Sequence, residues 1–152
     1  MWLWSYAPLL VWILVIFTLS SPGGSSANTS LIVGPLLNFF FPDMSEASRD
    51  LVHFYVRKSA HFTEYGILAM LGVRAFIAMP GIWYKLRWIL PIAIVAAVAS
   101  LDEFNQSFEP MRTSSPYDVL LDITGGVVGL VLTYLFLRPR ARQTLTPVDP
   151  DV

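Results

Sequence analysis

The sequence predicts an all-α membrane protein, a polytopic transmembrane helical bundle of about four spans with an additional amphipathic surface helix. Of its 152 residues, 55% are hydrophobic and only 14% are charged, and the mean hydropathy is +0.57. An ordinary soluble domain has about 25% charged residues. Aromatic residues make up 14% of the chain, which suits the aromatic belts that lie at membrane interfaces. The chain therefore has the composition of a protein solvated mainly by lipid.

Charge and cysteine content exclude several classes of function. The chain has 10 Lys and Arg against 11 Asp and Glu, a formal net charge of -1. Because no overall basic field is present, nucleic acid is not an expected partner. The chain has no cysteine, which excludes disulfides, thiol catalysis and thiolate metal sites.

Four stretches approach the length of about 20 mostly apolar residues that a spanning helix needs. They are residues 2–19, 60–79, 88–101 with a polar helical continuation, and 117–137. The first ends at Pro22 and Gly23, which cannot continue a helix. A cleaved signal peptide is the alternative for this stretch, because small residues follow at 25–27.

The segment between the first two stretches predicts a helix on the membrane surface. Residues 31–42 are apolar but interrupted by Gly34, Pro35 and Pro42, which makes them too short and too interrupted to cross. Asp43 followed by Glu46 resembles a helix N-terminal capping pattern. Apolar residues then recur at helical spacing, namely Leu51, Phe54 and Tyr55. We therefore expect an amphipathic helix that continues into the second span.

The positions of the basic residues predict the topology. With four spans, five basic residues lie on the side of both termini (Lys85, Arg87, Arg138, Arg140 and Arg142), and four lie on the other (Arg49, Arg57, Lys58 and Arg112). The positive-inside rule places both termini in the cytoplasm. We expect one transmembrane domain over residues 1–138 and a short disordered cytoplasmic tail over 139–152.

Acidic residues in three predicted spans lie at a similar depth below the same surface. Glu64 and Asp102 are each about 9 Å from that surface, and Asp122 is about 7 Å from it. Arg57, His61 and Glu64 share one face of their helix. In the fourth span, Gly125 and Gly129 form a small-residue pair for close helix packing, with Ala93, Ala96, Ala97 and Ser100 of the third span as the expected contact face. We expect the polar stripes to face each other inside the bundle.

Three sequence blocks carry a resemblance to a known family. They read RKSAHFTEY at 57–65, SLDEFNQSFEPMR at 100–112 and SPYD at 115–118, with Asp122 and Gly125 following. Over about residues 50–137 they resemble the signature of VanZ-like membrane proteins. The resemblance implies a multi-pass protein of the bacterial inner membrane with its motif near the outer leaflet. The family is named for a protein that lowers susceptibility to the glycopeptide teicoplanin, which implies a role in the cell envelope and in resistance.

The favoured function is recognition of an anionic ligand at the surface near which these polar residues lie. Arg57, Lys58 and Arg112 are candidates to bind a phosphate or pyrophosphate. The expected partners are bilayer lipids and a lipid-linked cell-wall precursor or a glycopeptide, with no cofactor. The candidate ligand-binding residues are Arg57, Lys58, His61, Glu64, Asp102, Glu103, Gln106, Arg112, Ser115, Asp118 and Asp122.

Three other functions remain open. The same residues could pair only with each other and lock three helices together. A membrane-embedded hydrolase or transferase could use His61, Glu64 and Asp102 as acid, base or orienting groups, although the sequence lacks an H-E-x-x-H metal motif and a Gly-x-Ser-x-Gly nucleophile turn. Transport is disfavoured, because the acids lie near one face and not through the membrane depth.

Overall fold

The computed structural model describes residues 2–21, 26–108 and 115–137, and all regular structure within them is helical. These residues contain six helices in chain order: α1 (Trp2–Ser20), α2 (Ser26–Phe40), α3 (Glu46–Ile77), α4 (Ile82–Lys85), α5 (Leu90–Gln106) and α6 (Pro116–Leu137). The predicted all-α class is therefore confirmed. Arg112, the basic residues from Arg138 onward and the predicted tail at 139–152 lie outside the described residues.

Helices α1, α3, α5 and α6 form a bundle around α3. α3 packs against the other three, and α5 packs against α1 and α6. Among the described residues, α1 and α6 do not contact each other, so α3 and α5 lie between them. Apolar side chains from α1, α3 and α5 form the buried core: Leu9, Ile16, Tyr65, Leu68, Ala69, Ala75, Val95, Val98 and Ala99.

Successive bundle helices run in opposite directions. The indole nitrogen of Trp12 on α1 donates to the Glu64 carbonyl oxygen at 2.9 Å, and Tyr6, nearer the start of α1, contacts Met79 just beyond the end of α3. α1 is therefore antiparallel to α3. Gly72 of α3 faces Pro91 at the start of α5, whereas Tyr65 lies near Asp102 towards its end, so α5 is also antiparallel to α3.

The contact between α3 and α6 is parallel and depends on glycine. A Cβ atom at Gly125 would lie 2.2 Å from the Phe62 carbonyl oxygen, and one at Gly129 would lie 2.2 Å from the Gly66 carbonyl oxygen. Real Cβ atoms do not approach a backbone oxygen so closely, so these positions require glycine at the observed helix separation. The predicted small-residue pair is therefore a packing surface, of a kind also found between membrane helices.

The partner of this glycine surface differs from the expected one. Gly125 and Gly129 face α3, not the third predicted span. In α5, Ala93, Ala97 and Ser100 are exposed, because its buried face is formed by Pro91, Val95, Val98, Ala99 and Asp102. The predicted contact face of α5 is therefore wrong, because a different face of this helix is turned towards its neighbours.

The predicted surface helix and second span form one continuous helix. α3 contains 32 residues, about 48 Å at the usual helical rise. Its N-cap is Ser45, whose hydroxyl accepts a hydrogen bond from the Ser48 backbone nitrogen at 3.3 Å. The expected cap at Asp43 was therefore two residues early. Leu51, Phe54 and Tyr55 are exposed.

The preceding segment is helical despite its glycine and proline. α2 contains 15 residues with Pro35 inside, so the interruption expected there is absent. Arg49 of α3 links the two helices, since its guanidinium contacts the Asn38 side chain and donates to the Pro42 carbonyl oxygen at 3.2 Å. This contact gives one basic residue of the surface helix a structural role.

Within the described residues, only α6 is both long and apolar enough to cross a membrane by length and composition. Its 22 residues extend about 33 Å, close to the hydrocarbon thickness of about 30 Å. α1 and α2 are apolar over shorter lengths. Polar residues interrupt α3 and α5 at the end of the bundle where the functional candidates lie.

Substitution of Gly129 tests the packing of α3 against α6. Gly129→Ala should lower the stability by about 1–3 kcal/mol, the usual cost of overpacking, because the new methyl group meets backbone and not a flexible side chain. Thermal unfolding in detergent measures the effect. Gly34→Ala is the control, since nothing lies within 4 Å of a Cβ atom there. Equal stability of the two variants would contradict the close contact.

Candidate functional site

A buried carboxylate links three helices at one end of the bundle. Asp102 of α5 is 2% exposed, and its Oδ2 atom accepts hydrogen bonds from Ser20 of α1 at 2.8 Å and from Gln106 one turn away at 2.9 Å. The Tyr65 hydroxyl of α3 donates to the same oxygen over 3.4 Å. Several donors therefore offset the cost of removing this carboxylate from water.

A second buried acid lies beside the predicted histidine. Asp122 of α6 is 3% exposed, and its Oδ1 atom is 3.8 Å from the Nδ1 atom of His61 on α3. That separation is too long for a hydrogen bond, and Oδ1 is buried without one. The imidazole also stacks on the Tyr65 ring, with centroids 6.4 Å apart and planes inclined by 15°. Tyr65 thus connects the His61–Asp122 pair to Asp102.

The predicted cation Lys58 is paired with an acid. Its ammonium group contacts the Asp118 carboxylate in the first turn of α6, and it lies 5.3 Å from the centre of the Phe54 ring. The exposed fractions of the two charged side chains are 20% and 26%. The pair is therefore shielded by protein but still accessible from one side.

The other candidates surround these pairs. The Glu103 side chain accepts a hydrogen bond from the Ser115 backbone nitrogen at 2.5 Å, which fixes the start of α6 against the end of α5. Arg57 and Glu64 are half-buried on α3. The structure thus brings Lys58, His61, Asp102, Glu103, Gln106, Ser115, Asp118 and Asp122 to one end of the bundle.

An open groove follows the outer side of the α3–α6 contact. It has a volume of about 510 Å³, within the usual range of ligand sites, about 300–1,000 Å³. Aromatic and aliphatic side chains form most of its surface, and the Lys58–Asp118 pair lies among them. The lining residues are Phe54, Tyr55, Lys58, Ser59, Phe62, Thr63, Tyr117, Asp118 and Leu121.

The arrangement is suited to polar recognition. Within the described part of the chain, no three His, Asp or Glu side chains are grouped so that they could hold a metal ion. The groove combines a charged pair with apolar walls, which suits an amphipathic molecule. His61 beside Asp122 is the candidate acid or base.

Comparison with known proteins identifies the family. A family model described as VanZ/LLP1 matches residues 3–137. The chain belongs to the VanZ/LLP1 family. The resemblance carried by the three sequence blocks is thereby confirmed, and the match extends to α1 and α2. No curated protein and no solved structure matches the chain.

Two features of this VanZ/LLP1 site were not predicted. Ser20 and Tyr65 bind Asp102, yet neither was among the candidates. Tyr65 follows His61 by one helical turn, so helix periodicity could have placed it on the polar face. Ser20 ends an apolar helix, and nothing in its local sequence marks it. The groove was also missed, because it depends on the separation of α3 and α6.

Substitution of Asp102 tests its role in joining the helices. Asp102→Ala should cost about 1–3 kcal/mol of stability, because it leaves buried hydroxyl donors without their acceptor. Asp102→Asn keeps one oxygen acceptor and should cost less. Thermal unfolding in detergent compares these variants with Asp50→Ala, which removes an exposed carboxylate from α3. If Asp102→Ala were as stable as Asp50→Ala, the helix-joining role would be wrong.

Proposed function

We propose that this VanZ/LLP1 protein spans the bacterial cytoplasmic membrane four times and recognises the anionic phosphate group of a lipid-linked envelope ligand near the outer leaflet. The observation that carries the proposal is the groove between α3 and α6, with Lys58 in its wall. A phosphate would approach the Lys58 ammonium, and the apolar part of the ligand would lie along the aromatic walls.

The proposed topology is supported by the alternating directions of α1, α3, α5 and α6. α1 contains 19 residues and α5 contains 17, or about 28 Å and 25 Å. These lengths approach the thickness of the hydrocarbon layer, and the polar residues at one end explain why α3 and α5 are less apolar than α6. Because Asp102 and Asp122 are buried among protein groups, they need not contact lipid.

Membership of the VanZ/LLP1 family supports a link to glycopeptide resistance, and we propose teicoplanin as the relevant antibiotic. Binding of a lipid-linked cell-wall precursor would place the protein where such antibiotics act. A glycopeptide itself is a second possible ligand of the same groove.

The alternative function is an envelope hydrolase or transferase. The approach of Asp122 to His61 favours it, because a carboxylate next to an imidazole can orient the ring for proton transfer. We prefer recognition, because the groove and its charged pair are sufficient to bind a ligand, whereas catalysis would need further reactive groups. Phosphate release from a polyprenyl diphosphate that is lost in His61→Ala, with ligand binding retained, would favour the enzyme.

The topology predicts which positions reagents reach from each side of the membrane. In this cysteine-free chain, Ser115→Cys should react with a membrane-impermeant thiol reagent added to intact spheroplasts. Ile82→Cys in α4, at the other end of the bundle, should react only after the membrane is opened. The reverse pattern would show that the orientation is opposite to the proposed one. Equal labelling of both positions from outside would contradict the proposed topology.

The ligand proposal predicts that binding depends on Lys58. In the purified full-length chain, Lys58→Gln combined with Asp118→Asn should weaken polyprenyl diphosphate binding at least about tenfold, because a charge-assisted hydrogen bond is lost. The double change leaves no uncompensated carboxylate. Lys85→Gln on α4 is the matched control and should bind normally. If both variants bound alike, or if uncharged polyprenol bound equally well to the unmodified protein, phosphate recognition at Lys58 would be excluded.

A further inference from the structure

The wall of the groove contains a positive and a negative side chain next to each other. Lys58 and Asp118 are in contact, and both line the groove. A ligand that carries only negative charge can approach Lys58, but it separates the pair and leaves the half-buried Asp118 carboxylate without its cation. The loss of this pairing lowers the affinity for a purely anionic ligand.

A ligand with both charges avoids this cost. Its phosphate can replace Asp118 as the partner of Lys58, while a nearby ammonium group replaces Lys58 as the partner of Asp118. Each protein charge then keeps an opposite charge and a hydrogen bond. A carboxylate gains more from a primary ammonium than from a quaternary one, because only the primary ammonium has N–H donors.

The surrounding side chains fit the rest of such a molecule. Phe54 precedes Lys58 by one helical turn and Phe62 follows it by one turn, about 6 Å to either side along α3. Phe62 and Leu121 line the part of the groove nearer the middle of the bundle, where an acyl chain would enter the bilayer. Tyr55 and Tyr117 are exposed at the other end, where aromatic side chains commonly meet lipid headgroups.

We propose that the α3–α6 groove binds a membrane lipid whose headgroup carries a phosphate and a primary ammonium, with the phosphate at Lys58 and the ammonium at Asp118. This inference rests on the proposed function, since it requires phosphate recognition at Lys58, and it defines the ligand class more narrowly. Among phosphate lipids, the Lys58–Asp118 pair therefore favours a headgroup that carries both charges over one that carries the phosphate alone.

The test compares three lipids by native mass spectrometry of the purified full-length chain. Phosphatidylethanolamine should bind at least about tenfold more tightly than phosphatidylglycerol or phosphatidylcholine, because only it supplies a charged hydrogen-bond donor to Asp118. Water-soluble phosphoethanolamine should not displace it, since the acyl chain contributes to binding. Asp118→Asn should remove the preference for phosphatidylethanolamine while phosphatidylglycerol binding is kept or improved.

A charge-reversed variant keeps the test independent of folding. Lys58→Asp combined with Asp118→Lys retains an ion pair, and it should still prefer phosphatidylethanolamine, because a headgroup with both charges can bind in either sense. Glu46→Gln at the exposed start of α3 is the control and should leave the preference unchanged.

The outcomes separate the two proposals. If phosphatidylglycerol bound through Lys58 as tightly as phosphatidylethanolamine, the charge-pair inference would be wrong while phosphate recognition remained. If removal of Lys58 changed the binding of no phosphate lipid, both proposals would fail. Displacement by phosphoethanolamine alone would contradict a lipid ligand and point to a soluble one.

Discussion

The close parallel contact between α3 and α6 is the constraint on which the polar end of this protein depends. Gly125 and Gly129 bring the α6 backbone against the carbonyl oxygens of Phe62 and Gly66, a separation that no side chain permits. Because the two helices run in the same direction, residues that come later in α3 contact residues that come later in α6. The register places Asp118 at Lys58 and Asp122 at His61. Both contacts therefore follow from packing between uncharged residues.

The same contact divides the polar residues into two environments. Asp102 and Asp122 lie inside the bundle, where Ser20 and Tyr65 supply hydroxyl donors to Asp102. Lys58 and Asp118 lie on the outer side, in the wall of the groove. The internal group has a clear structural role, because its hydrogen bonds join α1, α3 and α5. The outer pair is partly exposed, which is why we propose that recognition occurs there.

The sequence alone predicted the helical class, the family and the gathering of acids at one end. These were accessible because apolar length, helix periodicity and the order of the three blocks are local properties. Other features were not predicted, because they depend on which helices pack against each other. The glycine surface of α6 packs on α3 and not on the alanines of α5, and Asp102 takes a donor from Ser20, 82 residues away in sequence. Pro35 was read as an interruption, yet the helix around it continues, since a single proline removes only one backbone donor.

Chemical crosslinking within the membrane tests the parallel α3–α6 contact most directly. The chain has no native cysteine, so pairs of introduced cysteines can be joined by a short bifunctional thiol reagent and detected after cleavage at a methionine between them. Lys58→Cys with Asp118→Cys should crosslink efficiently. Lys58→Cys with Leu135→Cys should not, because Leu135 lies about 25 Å further along α6. Crosslinking of the second pair but not the first would contradict the parallel register, and with it the assignment of the groove as a binding site.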